Sequence, residues 1–169
     1  MENIILIWMP GSWKTTIWKQ LAEKLNMNFL DFDDDIIEKQ SWKTVAQLLE
    51  ELGEEKFLDY EEQLVLSLDD IKNTILSTSW SVPLKENAMK KLKQLWKVIY
   101  LDIPLDIIKS RLKVMKVDRI VGMKNMTMDE ILEYRRSFYE KSYDYKFTIS
   151  ENLSKEEVFE LFYEFIKKI

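Results

Sequence analysis

The chain contains no cysteine and no histidine. Without cysteine there is no disulfide scaffold and no thiol chemistry, and without histidine the commonest metal ligand and proton shuttle is missing. Any acid–base chemistry must therefore use carboxylates, lysine or tyrosine. The formal net charge of −5 gives no sign of a basic surface, so we expect no nucleic-acid partner.

Long apolar runs are also lacking. No run approaches the roughly 18 residues that a membrane-spanning helix needs, and no basic segment followed by a long apolar one opens the sequence. We therefore expect no membrane association and a cytoplasmic protein. With 169 residues, of which 46% are hydrophobic, the chain can bury one core, and we expect a single domain over residues 1–169 and a monomer.

Strand-like and helix-like patterns alternate along the chain. Short apolar runs predict strands at 3–7, 27–30, 74–78, 97–103 and 147–149. Helical periodicity predicts helices at 14–25, 35–39, 44–51, 54–67, 83–95, 105–116, 127–143 and from 154 onwards. Positions expected to face inward include Leu95 and, on the last helix, Val158, Leu161, Phe162, Phe165 and Ile169. The alternation predicts an α/β fold of three layers, α/β/α, around a parallel five-stranded sheet.

The first predicted strand runs into the segment IILIWMPGSWKTT, residues 4–16. The phosphate-loop pattern G-x-x-x-x-G-K-[ST] would be complete here if Trp8 and Trp13 were glycines. In that pattern the backbone N–H groups cradle phosphates, the lysine reaches the β- and γ-phosphates, and the next hydroxyl binds Mg²⁺. The candidate ATP ligands are Gly11, Ser12, Trp13, Lys14, Thr15 and Thr16, with Thr15 also a candidate metal ligand.

Two further clusters follow predicted strands, LDFDDD at 30–35 and STSWSV at 77–82. Ligands of open parallel sheets bind outside the carboxyl ends of the strands, so these clusters and the segment 8–16 are expected to share one crevice. Simpler alternatives stay open: Lys-Thr-Thr can be a plain helix start, and the acidic run can be a solvated, helix-capping segment.

In order and spacing, these motifs resemble those of the shikimate kinase family, P-loop kinases of small molecules, over about residues 3–149. The matching segments are WMPGSWKT, Asp31-Phe-Asp33, Ser41-Trp-Lys-Thr44, STSWS, Arg119 within VDRIVG, and Arg135-Arg-Ser-Phe-Tyr139. The resemblance implies a P-loop kinase fold, Mg²⁺ and ATP as cofactors, and a small hydroxyl-bearing acid as acceptor. Shikimate is the first candidate, which would place the reaction in the shikimate pathway of aromatic amino acid biosynthesis.

The resemblance also implies roles for individual residues. Lys14 would stabilise the transferring phosphoryl group, and Arg119 would close over it from a basic lid loop at about 112–126. Asp31 is the expected outer-shell partner of Mg²⁺. Asp33 would hold the acceptor hydroxyl and accept its proton.

For the acceptor, the resemblance assigns Arg135 to a carboxylate of the substrate and Trp80 to a turn that contacts it. The chain departs from the family in one place. Phe57-Leu58-Asp59-Tyr60-Glu61 matches the family's F-R-x-x-E, so the expected guanidinium is absent at Leu58. The acceptor pocket is therefore expected to be remodelled.

The chain has only three glycines and six tryptophans, and each tryptophan stands where the resemblance expects glycine. They are Trp8, Trp13, Trp18, Trp42, Trp80 and Trp96. With glycine near 7% of an average sequence, six such coincidences have a chance on the order of 10⁻⁷. Our hypothesis is a decoding difference, since some genetic codes read UGA as tryptophan and others as glycine.

Two alternatives remain for the tryptophans: deliberate substitution, and real tryptophans in a non-catalytic relative. An indole at position 13 would project into the space that the phosphates need. Real tryptophans at 8 and 13 therefore favour a binding module without activity. A different small-molecule or nucleotide kinase is the other competing interpretation.

Overall fold

The computed structural model describes residues 2–10, 15–69, 71–113, 120–122, 126–149 and 153–169, without the side chains of Thr15 and Thr16. Its strands form one five-stranded sheet in the order β2-β3-β1-β4-β5, and every pairing is parallel. The strands are β1 Ile4–Trp8, β2 Asn28–Asp31, β3 Thr74–Ser77, β4 Lys97–Asp102 and β5 Tyr145–Thr148. The predicted parallel sheet is confirmed.

Helices connect the strands. They are α1 Thr15–Leu25, α2 Glu38–Ser41, α3 Val45–Leu52, α4 Glu54–Leu66, α5 Glu86–Leu95, α6 Leu105–Leu112, α7 Met128–Tyr139 and α8 Lys155–Ile166. A π-helix, Phe32–Ile37, precedes α2, and a 3₁₀ turn, Val82–Leu84, precedes α5. Capping boxes at Thr44, Thr127 and Ser154 open α3, α7 and α8, and the last two were predicted.

The residues of β1 alternate between two apolar clusters, one on each face of the sheet. Ile5 and Ile7 belong to the cluster shared with α4, α5 and α7, whereas Ile4, Leu6 and Trp8 belong to the cluster shared with α1 and α8. Because a strand's side chains point to opposite faces in turn, helices cover both faces of the sheet. This arrangement confirms the α/β/α layers.

Two predictions about inward-facing residues are wrong. Leu95 is 42% exposed and Leu161 is 50% exposed. On α8 the buried positions are Val158, Phe162 and Ile166, a single row at spacing of four residues. Because this row is narrow, Leu161 lies outside the buried face of α8. Leu95 is the last residue of α5, one turn past the buried Leu92.

In the part of the chain that the structure describes, no helix is both long and apolar enough to cross a membrane.

Candidate active site

Asp31 and Ser77 end the neighbouring strands β2 and β3 and are register partners. The Asp31 carboxylate accepts hydrogen bonds from the Ser77 hydroxyl at 3.2 Å and from the N–H groups of Asp33 and Asp34 at 3.1 and 3.2 Å. It is only 8% exposed, and burial raises its pKa above the ordinary value against the lowering effect of these hydrogen bonds. Asp31 is therefore a carboxylate of fixed orientation at the carboxyl edge of the sheet.

Asp33 lies half-buried in the π-helix that begins directly after β2. Its N–H is held by Asp31, and the N–H of Asp31 donates in turn to Asp35 at 2.9 Å. Asp35 forms an ion pair with Lys39 at 2.7 Å. The helix-capping interpretation of the acidic run is thus correct for Asp31. It leaves a role for Asp33 open, and π-helical turns are frequent at functional sites.

Arg135 is buried, with 1% of its surface exposed. Its Nη1 donates to the carbonyl oxygen of Trp80 at 2.9 Å, and its Nη2 donates to the carbonyl oxygen of Val121 at 3.0 Å. The guanidinium predicted to bind an acceptor carboxylate thus holds two main-chain segments. The carbonyl of Trp80, in the turn predicted to contact substrate, is taken up by this contact and by one from Tyr139.

Glu61 has no exposed surface, and its carboxylate interacts electrostatically with the Arg135 guanidinium. The Ser79 hydroxyl donates to its Oε1, while its Oε2 has no hydrogen-bond partner among the described residues. Burial raises the pKa of Glu61 to about 7, although Ser79, Ser81 and the charge of Arg135 favour the ionised form. In the sequence, Glu61 is the last residue of the segment that matches the family's F-R-x-x-E. That spacing could have marked Glu61 as a candidate site residue, but it could not show that Glu61 is buried.

A cavity of about 410 Å³ opens between the start of α4, the segment 120–122 and α7. Leu58 and Arg135 both line it, and Glu54 closes one side by accepting a hydrogen bond from the N–H of Gly122 at 2.9 Å. This cavity is the candidate acceptor pocket, because it lies against the two positions that the family resemblance assigns to the acceptor.

The tryptophans fall into distinct environments. Trp42 is 91% exposed and has φ of 58°, a left-handed conformation that bulky residues rarely adopt and glycine adopts freely. Trp18 is fully buried against Trp8 and Phe162, and its indole N–H finds no acceptor in the described residues. Trp96 is buried in an extended conformation open to any residue. The backbone itself therefore points to glycine at Trp42.

Several predicted site residues lie outside the described residues: Gly11, Ser12, Trp13, Lys14 and Arg119. The backbone of Thr15 and Thr16 begins α1, at the carboxyl end of β1, but their side chains are not described. Within the described ranges, no group of three or more acidic residues could hold a metal ion. Asp31 stands as one carboxylate beside a serine hydroxyl, an oxygen-only set of the kind that Mg²⁺ prefers, so it fits an outer-shell role.

The sequence matches the family model for shikimate kinase over residues 10–167. Human threonine synthase-like 1 is 39% identical over 158 residues, which are 93% of this chain and 21% of that protein, so the chain spans about a fifth of that relative. Shikimate kinase of Persephonella marina is 33% identical over 82% of this chain and 84% of its own length.

Among solved structures, shikimate kinase from Acinetobacter baumannii in complex with shikimate superposes with a TM-score of 0.82. It is 26% identical, over 99% of this chain and 94% of that one. The family match and the shared fold agree with the motif order found in the sequence, and the chain therefore belongs to the shikimate kinase family.

Proposed function

We propose that the chain transfers the γ-phosphoryl group of ATP to a hydroxyl of a small metabolite, with shikimate as the reference acceptor and shikimate 3-phosphate as its product. The observation that carries the proposal is the placement of Asp31 and Asp33 at the carboxyl edge of the sheet, where β3 alone separates the end of β2 from the end of β1, at which the phosphate-loop segment begins. In parallel α/β sheets this edge is where nucleotides and their acceptors meet.

The roles proposed for single residues follow from phosphoryl-transfer chemistry, in which positioning and charge neutralisation do most of the work. Lys14 stabilises charge on the transferring group. Thr15 and Asp31 would hold Mg²⁺, which would supply further positive charge to the phosphates. Asp33 orients the acceptor hydroxyl and takes its proton as the hydroxyl oxygen bonds to the γ-phosphorus and ADP leaves. Arg119, from the lid loop at about 112–126, would close over the transferring phosphate and neutralise its charge.

The proposal also covers the whole of residues 1–169 as one P-loop kinase domain, acting as a cytoplasmic monomer. The single domain is supported by the family match, which spans nearly the entire chain, and by the helices that cover both faces of the sheet. Size-exclusion chromatography with light scattering checks the monomer, since a dimer would double the mass of 20.4 kDa.

Phosphoryl transfer from ATP to shikimate, followed by ³¹P NMR with and without Mg²⁺, tests the proposal. In the protein with glycine at positions 8 and 13, we expect slow, Mg²⁺-dependent turnover that rises in Leu58→Arg, because the variant restores a cation where the family places one. Rapid turnover of a nucleoside or sugar, with none of shikimate, would favour the alternative of a different P-loop small-molecule kinase.

The non-catalytic alternative is favoured by one observation: Trp8 packs well as a tryptophan, in the cluster with α1 and α8. A protein with tryptophan at 8 and 13 and neither nucleotide binding nor turnover would be such a binding module. Comparing it with the Trp8→Gly, Trp13→Gly double variant separates the two cases.

A further inference from the structure

Glu61 and Arg135 hold the same short turn, residues 79–81, from two different helices. Glu61 on α4 accepts a hydrogen bond from the hydroxyl of Ser79, and Arg135 on α7 donates to the carbonyl oxygen of Trp80, the next residue. Both side chains are almost completely buried. A buried acid and a buried cation are thus fixed on adjacent residues of one turn, and the charge of each acts on the other.

The hydrogen bonding of the Glu61 carboxylate is incomplete. Its Oε2 has no hydrogen-bond partner among the described residues, and Arg135 donates instead to the carbonyls of Trp80 and Val121. An ionised carboxylate without a full set of donors is costly to bury, so burial raises the pKa of Glu61 to about 7. Near neutral pH the protonated and the ionised forms of Glu61 therefore coexist.

Arg135 is the charged group that acts on Glu61 among the residues that the structure describes. Lys85, before α5, forms ion pairs with two acids of α4, and the acids of α3 are exposed. On the π-helix Asp33 is half-buried, and on α7 the hydroxyl of Tyr139 donates to main-chain carbonyl groups. Because Arg135 also lines the candidate acceptor pocket, its charge acts both on Glu61 and on a ligand in that pocket.

We propose that a carboxylate of the acceptor binds at Arg135 in competition with the charge of Glu61, so that Glu61 takes up a proton from solvent when the acceptor binds. A guanidinium has five N–H donors, so Arg135 can donate to a ligand while it keeps both carbonyls. Glu61 is then a positioning residue that makes acceptor affinity depend on pH. This proposal rests on the proposed kinase function and adds a regulation of its acceptor site.

The sign of the effect follows from linkage. An anion bound at Arg135 favours the protonated form of Glu61, and by reciprocity the protonated form binds the anion more tightly. Affinity should therefore be highest below the pKa of Glu61, about 7, and should fall as pH rises above it.

Shikimate and its methyl ester, which keeps the ring and lacks the charge, test the proposal. Their dissociation constants are measured by ligand-observed NMR on the whole chain without nucleotide, so the result does not depend on the phosphate loop. We expect shikimate to bind at least about threefold more weakly at about pH 8.5 than at about pH 5.5, because two negative charges then share one guanidinium. The ester should bind equally at both pH values, whereas a general loosening of the pocket would weaken both ligands alike.

Two variants assign the pH dependence to Glu61. Glu61→Gln keeps an acceptor for the hydroxyl of Ser79 but cannot ionise, so it should bind shikimate at the higher pH as tightly as the unsubstituted protein does at the lower one. Glu50→Gln, an exposed residue of α3 outside the cavity lining, is the matched control and should keep the full pH dependence.

Shikimate affinity that is independent of pH would overturn the proposal, as would parallel changes for shikimate and its ester or no binding of shikimate at any pH. A pH dependence that Glu61→Gln leaves intact would also overturn it, because another group would then be responsible. These outcomes leave the kinase function standing. That function fails separately, if the glycine form at positions 8 and 13 neither binds Mg²⁺-ATP nor transfers phosphate to any acceptor.

Discussion

The hydroxyl group of Tyr139 donates a hydrogen bond to the carbonyl oxygen of Trp80, 2.8 Å away. The carbonyl oxygen of Trp8 lies at the same distance from that hydroxyl and shares its proton. Tyr139 thus joins the end of β1, where the phosphate-loop segment begins, to the turn after β3 that contains Trp80. The R-x-x-x-Y motif holds these two segments in place from α7.

Tyr139→Phe removes this link and should destabilise the protein by about 1–3 kcal/mol, because the carbonyl of Trp8 loses its side-chain donor and the carbonyl of Trp80 keeps only the one from Arg135. Urea denaturation of the two proteins measures the difference. Tyr134→Phe on the same helix is the control, since Tyr134 is half exposed. A Tyr139→Phe variant as stable as the control would show that the hydroxyl contributes nothing.

Glu61 should make stability depend on pH. Its pKa is about 7 in the folded protein, raised by burial above the ordinary value for a glutamate. The folded state therefore holds a proton that the unfolded chain releases near pH 4.5, and the resulting stabilisation is lost as pH rises through about 7.

We expect Glu61→Gln to gain stability relative to the unsubstituted protein between pH 4.5 and 8, by at most about 3 kcal/mol. Denaturant titrations across that range, with the exposed Glu50→Gln as control, measure the gain. Parallel pH curves for the Glu61→Gln variant and the unsubstituted protein would contradict the raised pKa.

Trp42→Gly should stabilise the protein by about 1 kcal/mol, because glycine relieves the left-handed conformation and little packing is lost from an exposed side chain. The melting temperature should rise by about 2–4 °C. Trp42→Ala is the matched control: it also removes the indole but keeps the Cβ, so it should gain much less. An equal gain in both variants would assign the effect to the indole instead of the backbone.

The hypothesis of a decoding difference, in which UGA is read as tryptophan by some genetic codes and as glycine by others, predicts UGA at all six tryptophan codons of the source gene. One decoding rule then accounts for the six positions together. UGG at even two of these six codons would contradict the decoding hypothesis.

Lys14→Ala, made with glycine at positions 8 and 13, should lower kcat by at least about two orders of magnitude, the scale for losing one electrostatic stabiliser of the transition state. Steady-state kinetics with Mg²⁺-ATP measure the loss. Lys168→Ala, an exposed lysine after α8, is the control. A variant that raises KM and keeps kcat would place Lys14 in ground-state binding only.

The strand positions and the parallel arrangement of the sheet could be predicted because buried apolar runs alternated with helical periodicity, whereas the order of the strands was not predicted. The π-helix at Phe32–Ile37 could not, since it depends on Asp31 capping the N–H groups of Asp33 and Asp34. Leu161 was predicted inward because periodicity gives the apolar face of a helix but not how much of that face the neighbouring layer covers.

At the site, the motifs located Asp31, Asp33 and Arg135, but their contacts depend on tertiary structure. Nothing local to α7 indicates that Arg135 binds carbonyls 55 and 14 residues away, at Trp80 and Val121. The importance of Glu61 was equally hidden, because a glutamate in a helix is ordinarily exposed. Its burial follows from the packing of α4 against the turn after β3.

The most direct test of the central claim is Mg²⁺-dependent protection by ATP against thermal unfolding, measured for the chain with tryptophan at 8 and 13 and for the chain with glycine there. A ligand that binds only the folded state raises its stability with concentration. We predict a concentration-dependent rise in melting temperature for the glycine form and none for the tryptophan form. No rise in the glycine form, or an equal rise in both, would contradict the assignment of residues 8–16 as a nucleotide-binding loop that requires glycine.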